Sequence, residues 1–300
     1  MKRLHILWKF SRPHTIIGST ISITTLYAMA CQNINFTAHW LLLLLAVLTG
    51  IGCNIFIVGI NQIEDIEIDK INKPYLPLAS GELSTQNAYR IIYISAFVSV
   101  VLATYISFYL TGIVALSMLI GMAYSLPPFS FKKHHLPAAL AITIVRGFLV
   151  NIGGFYVFNT VINNSTTILE PVWLLTFFII AFSVAISWFK DMPDVEGDAK
   201  YKIRTLAILY SQKTALIAGT SLVSLAFIML IYYYYTAYFL SSQPSFATQL
   251  LLFGNTLLLG LFIINTCLIR VKKQNSVKQF YKRFWLFFFA EYALYLIAFI

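Results

Sequence analysis

The stretch NQIEDIEIDKINKP, residues 61–74, directly follows LLLLLAVLTGIGCNIFIVGI, residues 41–60. Four carboxylates, Glu64, Asp65, Glu67 and Asp69, therefore stand at the end of an almost wholly apolar segment. A segment of about 20 apolar residues is long enough to cross a bilayer. The whole chain shares this character: of its 300 residues 59% are hydrophobic and only 11% are charged, against about 25% charged in a soluble domain. The composition predicts an all-α integral membrane protein. Its opening, MKRLHILWKFSRPHT, has no cleavable signal pattern and reads as a basic, aromatic lead-in along the interface. Cys31, Cys53 and Cys267 are scattered, with neither disulfide nor metal spacing.

Apolar runs predict nine spans, at roughly 14–31, 40–61, 88–109, 111–126, 137–158, 171–189, 212–238, 247–269 and 284–300. The basic residues sort with that count. The loops expected on one side (32–39, about 110, 159–170 and 239–246) carry no Lys or Arg, whereas the other side collects 20 of the 21. The exception is Arg146, inside the fifth span. The positive-inside rule then predicts a cytoplasmic N-terminus and a C-terminus on the opposite side. The net charge of +10 is accounted for by this rule and by anionic lipid, with no call for nucleic acid. Eight of the 11 acidic residues fall in two windows, 64–69 and 191–198, each after a span on the basic side. One domain over 1–300 is expected, with pseudo-repeat halves of about 1–135 and 136–270 followed by a ninth helix.

If the second helix continues past the membrane, Asn61, Asp65 and Asp69 line one face at i, i+4 and i+8, and Asn54 joins that face deeper in. Glu64 and Glu67 point elsewhere and suit solvated loop charges. In FKDMPDVEGDAKYK, Asp191, Asp194 and Asp198 follow at i, i+3 and i+7, although Pro193 and Gly197 disturb a regular helix. Carboxylates one turn apart repel unless a hard cation lies between them. Oxygen donors with positions left for phosphate oxygens suit Mg²⁺, with basic side chains neutralising the rest of a diphosphate.

Asn61-x₃-Asp65-x₃-Asp69 and Asp194-x₃-Asp198 resemble the two aspartate-rich motifs of the UbiA superfamily of intramembrane prenyltransferases. The resemblance extends over the chain and sharpens at FSRPHTIIGS (10–19), NQIEDIEIDKINKPYLPLASG (61–81), AYSLPPFSFKK (123–133) and FKDMPDVEGDAKYKIRTL (189–206). The tail INKPYLPLASG is similar to that of the homogentisate prenyltransferase branch. This resemblance implies a nine-helix bundle with a central cavity opening near the cytoplasmic side. It also implies Mg²⁺-dependent transfer of a phytyl or geranylgeranyl group from its diphosphate to homogentisate, with decarboxylation, for tocopherol- or plastoquinone-type prenylquinones. The partners are then prenyl diphosphate, homogentisate and membrane lipid, in a bacterial inner, thylakoid or plastid membrane.

On this resemblance Asp65, Asp69, Asp194 and Asp198 are the expected Mg²⁺ ligands, with Asp191 a fifth that equally suits a cap. Asn61 is expected on a phosphate or a metal-bound water. Arg146, Lys132, Arg12, Lys190 and Lys73 are expected to bind substrate phosphates, although each also suits an interfacial charge, Arg146 by snorkelling from within its span. A charge as deep as Arg146 costs about 2.5–3.5 kcal/mol on insertion scales and calls for a cavity or a partner. Tyr124 is expected to face the reacting carbon, and Asn54 to line the acceptor pocket. The run Tyr232 to Tyr235 reads as an aromatic belt.

Three rival readings differ in testable ways. A secondary transporter would hold its carboxylates near the midplane on broken helices, whereas these stand at helix ends. A CDP-alcohol phosphotransferase would need an Asp-Gly-x₂-Ala-Arg run, which is absent. Within the superfamily, 4-hydroxybenzoate, naphthoate and chlorophyllide are the competing acceptors.

Overall fold

A computed structural model describes residues 2–32 and 34–300. Among these residues there is no β-strand. The chain starts with α1 (Lys2–Phe10), whose Leu4, Leu7 and Trp8 are exposed, as expected of a helix lying along a lipid interface. A left-handed turn at Arg12 (φ 53°, ψ 85°), followed by Pro13 in the first helical turn, reverses the path into α2 (Pro13–Ala30).

Seven further long helices follow and close with an eighth: α3 (Trp40–Glu64), then beyond the short α4 (Ile66–Asn72) come α5 (Thr85–Ile106) and α6 (Phe108–Ser125). Next are α7 (His135–Asn163) and α8 (Glu170–Asp191), the short α9 (Val195–Lys200), and α10 (Gln212–Leu240), α11 (Phe246–Cys267) and α12 (Gln274–Phe299). Seven of these, α3, α5, α6, α7, α8, α10 and α11, are long and apolar enough to cross a membrane. Leu48, Phe97, Leu225, Phe253 and Ile263 on them face outward, where lipid rather than water suits them. This is a multi-pass membrane protein.

The two helices that fall short of that apolarity, α2 and α12, are still 18 and 26 residues long. Their polar content has a structural reason. Thr15, Ser19 and Ser22 of α2 and Tyr281, Trp285 and Phe288 of α12 face an internal chamber, so neither helix needs to be apolar all round.

Two apolar cores flank this chamber. The larger joins α2, α8, α10, α11 and α12 through aromatic contacts such as Phe182 on Phe284, stacked at 4.1 Å, and Phe189 edge-on to Phe284 at 4.8 Å. The smaller joins α3, α5 and α6. Without a hydrophobic drive between helices in lipid, close approach of small residues holds such pairs together. A Cβ on Gly52 of α3 would lie 2.7 Å from the Ser95 carbonyl oxygen of α5, and Ser99 Oγ donates to the Thr49 carbonyl at 2.8 Å alongside.

The run Tyr232 to Tyr235 departs from a simple belt. Tyr234 is buried, and its hydroxyl lies 3.0 Å from that of Tyr295.

Because the atom opposing Gly52 is backbone, it cannot swing aside. Gly52→Val is expected to destabilise the bundle by about 1–3 kcal/mol, read as a lower melting temperature in detergent. An unchanged melting temperature would mean that α3 and α5 are not packed this closely.

Candidate functional site

The first acidic cluster forms where α3 gives way to α4. Asp65 sits at the junction, yet the backbone bonds from Asp65 N to the Asn61 carbonyl (3.0 Å) and from Asp69 N to the Asp65 carbonyl (2.7 Å) keep the helical spacing. Asn61, Asp65 and Asp69 therefore stay on one face, and Asn61 Nδ2 donates to Asp65 Oδ2 at 3.0 Å. The second cluster forms where α8 ends. Pro193 interrupts the helix, but Asp194 N still reaches the Asp191 carbonyl at 3.2 Å, and Asp198 N the Asp194 carbonyl at 3.0 Å.

The two clusters meet. Lys73, just past α4, pairs with Asp194 of the second cluster and lies 3.7 Å from Asp69 of the first. Asn72 ties the same segments together. Its Nδ2 donates to Asp198 Oδ1 at 3.3 Å, and its Oδ1 accepts from Gly197 N at 3.0 Å. Position 197 has to be glycine for this approach, since a Cβ there would lie 2.5 Å from the Asn72 amide. Asn72 was not among the residues expected from sequence. Its only signal was its place at i+3 from Asp69, on the same helical face.

Basic side chains surround the carboxylates. Lys132 donates to Asp65 Oδ1 at 2.6 Å. Its loop is held by a backbone exchange with the 201–205 segment, in which His135 N donates to the Arg204 carbonyl and Arg204 N to the Lys133 carbonyl. Arg12 Nη2 lies 3.8 Å from Asp69 Oδ2, an ion pair without a hydrogen bond. Lys190 pairs with Asp191 at 2.9 Å and stands 5.7 Å over the ring of Tyr124.

Crowding is felt in the titrations. Burial, followed by the neighbouring Asp191 and Asp194 carboxylates, pushes Asp198 up to about 7. Burial also raises Asp69, and Asp65 and Asp194 add to it against the opposing pull of Lys73 and Arg12. Burial works against the charge on Lys73, but Asp194 and Asp69 outweigh it and hold the ammonium above the usual lysine range.

Among the described residues no three His, Cys, Asp or Glu side chains close on one point. That donor set fits Mg²⁺ on a phosphate ligand rather than a cage made only of protein. Mg²⁺ is characteristically held by one or two carboxylates, with phosphate oxygens and water completing its shell. Asp69 Oδ2 is buried without a hydrogen-bond partner, as a carboxylate oxygen reserved for such a cation would be.

Behind this polar group lies an apolar chamber of about 310 Å³ between the two cores. Arg12, Asn61, Tyr124 and Lys190 border it, and aliphatic residues such as Ile57, Ile113, Val114 and Leu149 line it further along. Asn54 lies on its wall and donates to Thr15 Oγ1 at 3.0 Å. Arg146 also lines it, but is paired with none of the aspartates. His14, Tyr281 and Trp285 complete the wall and were not expected from sequence, since aromatic residues at helix ends read equally as interfacial.

Residues 21–290 match the model of the UbiA prenyltransferase family. The chain belongs to that family. Among its relatives is the homogentisate phytyltransferase of Synechocystis sp., 36% identical over 302 residues that cover 99% of this chain and 96% of the relative. The chloroplastic homogentisate solanesyltransferase of Arabidopsis thaliana is 33% identical over 96% of this chain and 75% of the relative. Among solved structures, a UbiA homolog from Archaeoglobus fulgidus bound to GPP and Mg²⁺ shares the fold, with a TM-score of 0.66 at 16% identity over 96% of this chain and 99% of the other.

Among the described residues, Asn72 is the direct side-chain link between the two acidic segments other than Lys73. Asn72→Ala is expected to weaken Mg²⁺ binding by about 10–100-fold, the usual scale for a residue that orients ligands. Calorimetric titration of the purified protein measures this, and wild-type affinity in the variant would mean that the clusters converge without it.

Proposed function

We propose that this protein transfers a prenyl group, phytyl or geranylgeranyl, from its diphosphate to the aromatic ring of homogentisate, with loss of CO₂ and release of diphosphate. One observation carries the reading: two acidic segments far apart in sequence converge, among cations, at the mouth of an apolar chamber. Support for the acceptor comes from relatives that use homogentisate with different prenyl groups. Phytyl or geranylgeranyl is proposed over solanesyl because the C-terminal run FYKRFWLFFFAEYALY, residues 280–295, is similar to that of the cyanobacterial-type phytyltransferases.

In this reading Asp65, Asp69, Asp194 and Asp198 hold Mg²⁺, with Asp191 beside them paired to Lys190. The bound cation would withdraw electrons from the diphosphate and so ease ionisation of the allylic C–O bond. Lys73, Lys132, Arg12 and Lys190 take the diphosphate oxygens, exchanging part of their pairing with aspartates for pairing with phosphate. Asn61, already bonded to Asp65, orients that carboxylate or a phosphate oxygen. Tyr124 presents a ring whose face already accommodates the Lys190 ammonium, and it offers the same π-density to an allylic cation. The aliphatic chamber takes the prenyl chain and keeps out water that would quench the cation.

The same reading includes nine transmembrane helices, with α2 and α12 crossing beside the seven apolar ones, and a single domain of two four-helix halves plus a last helix. It puts the N-terminus and the chamber mouth on the cytoplasmic side, with the C-terminus opposite.

Asp65→Ala and Asp194→Ala are each expected to lower diphosphate release by on the order of 10²–10³-fold, the scale of losing one charge-stabilising group, while the protein still inserts and melts normally. Wild-type turnover in either would remove the metal assignment. In membranes, homogentisate is expected to outcompete 4-hydroxybenzoate with geranylgeranyl or phytyl diphosphate as donor, and chelation of Mg²⁺ to silence transfer until the ion is restored. Preference for 4-hydroxybenzoate would move the protein to another acceptor within the family.

A further inference from the structure

The chamber wall carries one cation that the acidic clusters do not account for. Arg12, Lys73, Lys132 and Lys190 each lie within ion-pair distance of an aspartate. Arg146 has no such partner among the described residues. Its guanidinium carbon instead lies 4.8 Å from the ring centroid of Trp285 and 5.3 Å from that of Phe288, and its Nη1 is buried without a hydrogen bond. Rings stabilise a guanidinium from the side and leave its in-plane donors free. Those donors suit a planar carboxylate, which can accept two parallel N–H bonds.

The backbone is shaped to present this side chain. Residues Ile144–Gly153 of α7 are wound as a π-helix, a departure that recurs at functional sites. Asn151 secures the winding. Its Nδ2 donates to the Arg146 carbonyl at 3.3 Å, and its Oδ1 accepts from the Tyr292 hydroxyl at 2.7 Å. Asn151 is fully buried, so these bonds tie the π-wound turn to α12, the helix that also carries Trp285 and Phe288. His14 meets Trp285 edge-on at 4.8 Å, so the same indole is fixed from a second direction.

We propose that Arg146 is the receptor for the acceptor's carboxylate, so that the protein selects an arylacetate by charge recognition inside a largely apolar chamber. This rests on the reading above that an aromatic acid is prenylated with loss of CO₂. Two anionic groups take part in that reaction, the diphosphate and the acceptor's carboxylate. The diphosphate has its cations at the chamber mouth, and the carboxylate is left for Arg146.

The chemistry gives this arrangement a direction. The allylic C–O bond breaks, and its electron pair leaves on diphosphate. The ring forms a carbon–carbon bond to the allylic carbon and then gives up the proton at that position. The bond to the carboxylate breaks and CO₂ departs. The electron pair of that bond stays on the benzylic carbon, which takes up a proton. The product is neutral, so the group that Arg146 holds is destroyed by turnover and the product is free to pass into lipid.

The test measures KM for each substrate separately in purified wild type, Arg146→Gln and Arg146→Lys. It also compares inhibition by 2,5-dimethoxyphenylacetate with inhibition by its neutral methyl ester. Arg146→Gln is expected to raise KM for homogentisate about 10–100-fold, the scale of losing charge-assisted hydrogen bonds, and to leave KM for geranylgeranyl diphosphate within about twofold. Arg146→Lys recovers part of the loss, and wild type prefers the acid to the ester as inhibitor, a preference that Arg146→Gln abolishes. A rise in KM for the prenyl diphosphate alone would give Arg146 to the diphosphate and overturn the inference while leaving the prenyltransferase reading intact. Equal inhibition of wild type by acid and ester would overturn it even if Arg146→Gln fails to fold. Absence of transfer to homogentisate by wild type would instead remove the reading beneath it.

Discussion

Mutual repulsion among carboxylates is the constraint on which this structure turns. Asp65, Asp69, Asp194 and Asp198 are carried to the ends of helices that must otherwise be apolar, and two of them, Asp69 and Asp198, are buried. Such a group is stable only where opposite charge is supplied within a few ångströms. Lys73, Lys132 and Arg12 provide it to Asp65, Asp69 and Asp194 from three separate segments, while Asp198 is held by the Asn72 amide. Each of those segments is consequently drawn inward: the left-handed turn before α2, the end of α4, and the 126–134 loop zipped to residues 201–205. The charges organise the loops, and the loops in turn register the helices.

The helix packing follows a complementary logic. The site needs a chamber directly behind it, so two cores replace one, with α2 and α12 forming part of the wall between them. Part of the polar and aromatic content of those two helices, Thr15, Ser19 and Ser22 of α2 and Tyr281 and Trp285 of α12, lies on that wall. Helix α3 lines the same chamber with Thr49, Asn54 and Asn61 while the rest of its surface stays apolar. The π-wound stretch of α7 brings Val145, Arg146, Leu149 and Val150 to the same wall.

Much of this was legible in the sequence. Helices α3, α5, α6, α7, α8, α10 and α11 fall where apolar runs placed them, because length and hydropathy alone decide whether a segment suits lipid. Asn61, Asp65 and Asp69 could be put on one face because helical periodicity is local. Convergence of the two acidic segments was inferred only from their shared side and composition. The contacts that accomplish it, Asn72 with Asp198 and Lys73 with Asp194, join residues more than a hundred positions apart and have no periodic signature. Arg146 stood out as a cation in a span, but its surroundings did not, since Trp285 and Phe288 belong to an aromatic-rich helix in which any ring could have faced lipid. Asn151 was equally opaque. A lone amide in a span announces a hydrogen bond without naming its partner.

The distribution of charge also bears on how two unlike substrates could share one chamber. A prenyl diphosphate is anionic at one end and lipid at the other, so a polar mouth and an aliphatic interior orient it without any further contact. An aromatic acid has no such gradient to follow, since its ring is small and its polar groups surround it. Orientation of that molecule needs a fixed point within the apolar region, and a permanently charged group is the most selective one available where competing water is scarce. The guanidinium of Arg146, resting against two neighbouring rings and carried on a π-wound turn, meets that requirement without being neutralised by the aspartates. A lysine at the same position would be less suited, because a desolvated ammonium readily loses its proton, whereas a guanidinium retains its charge.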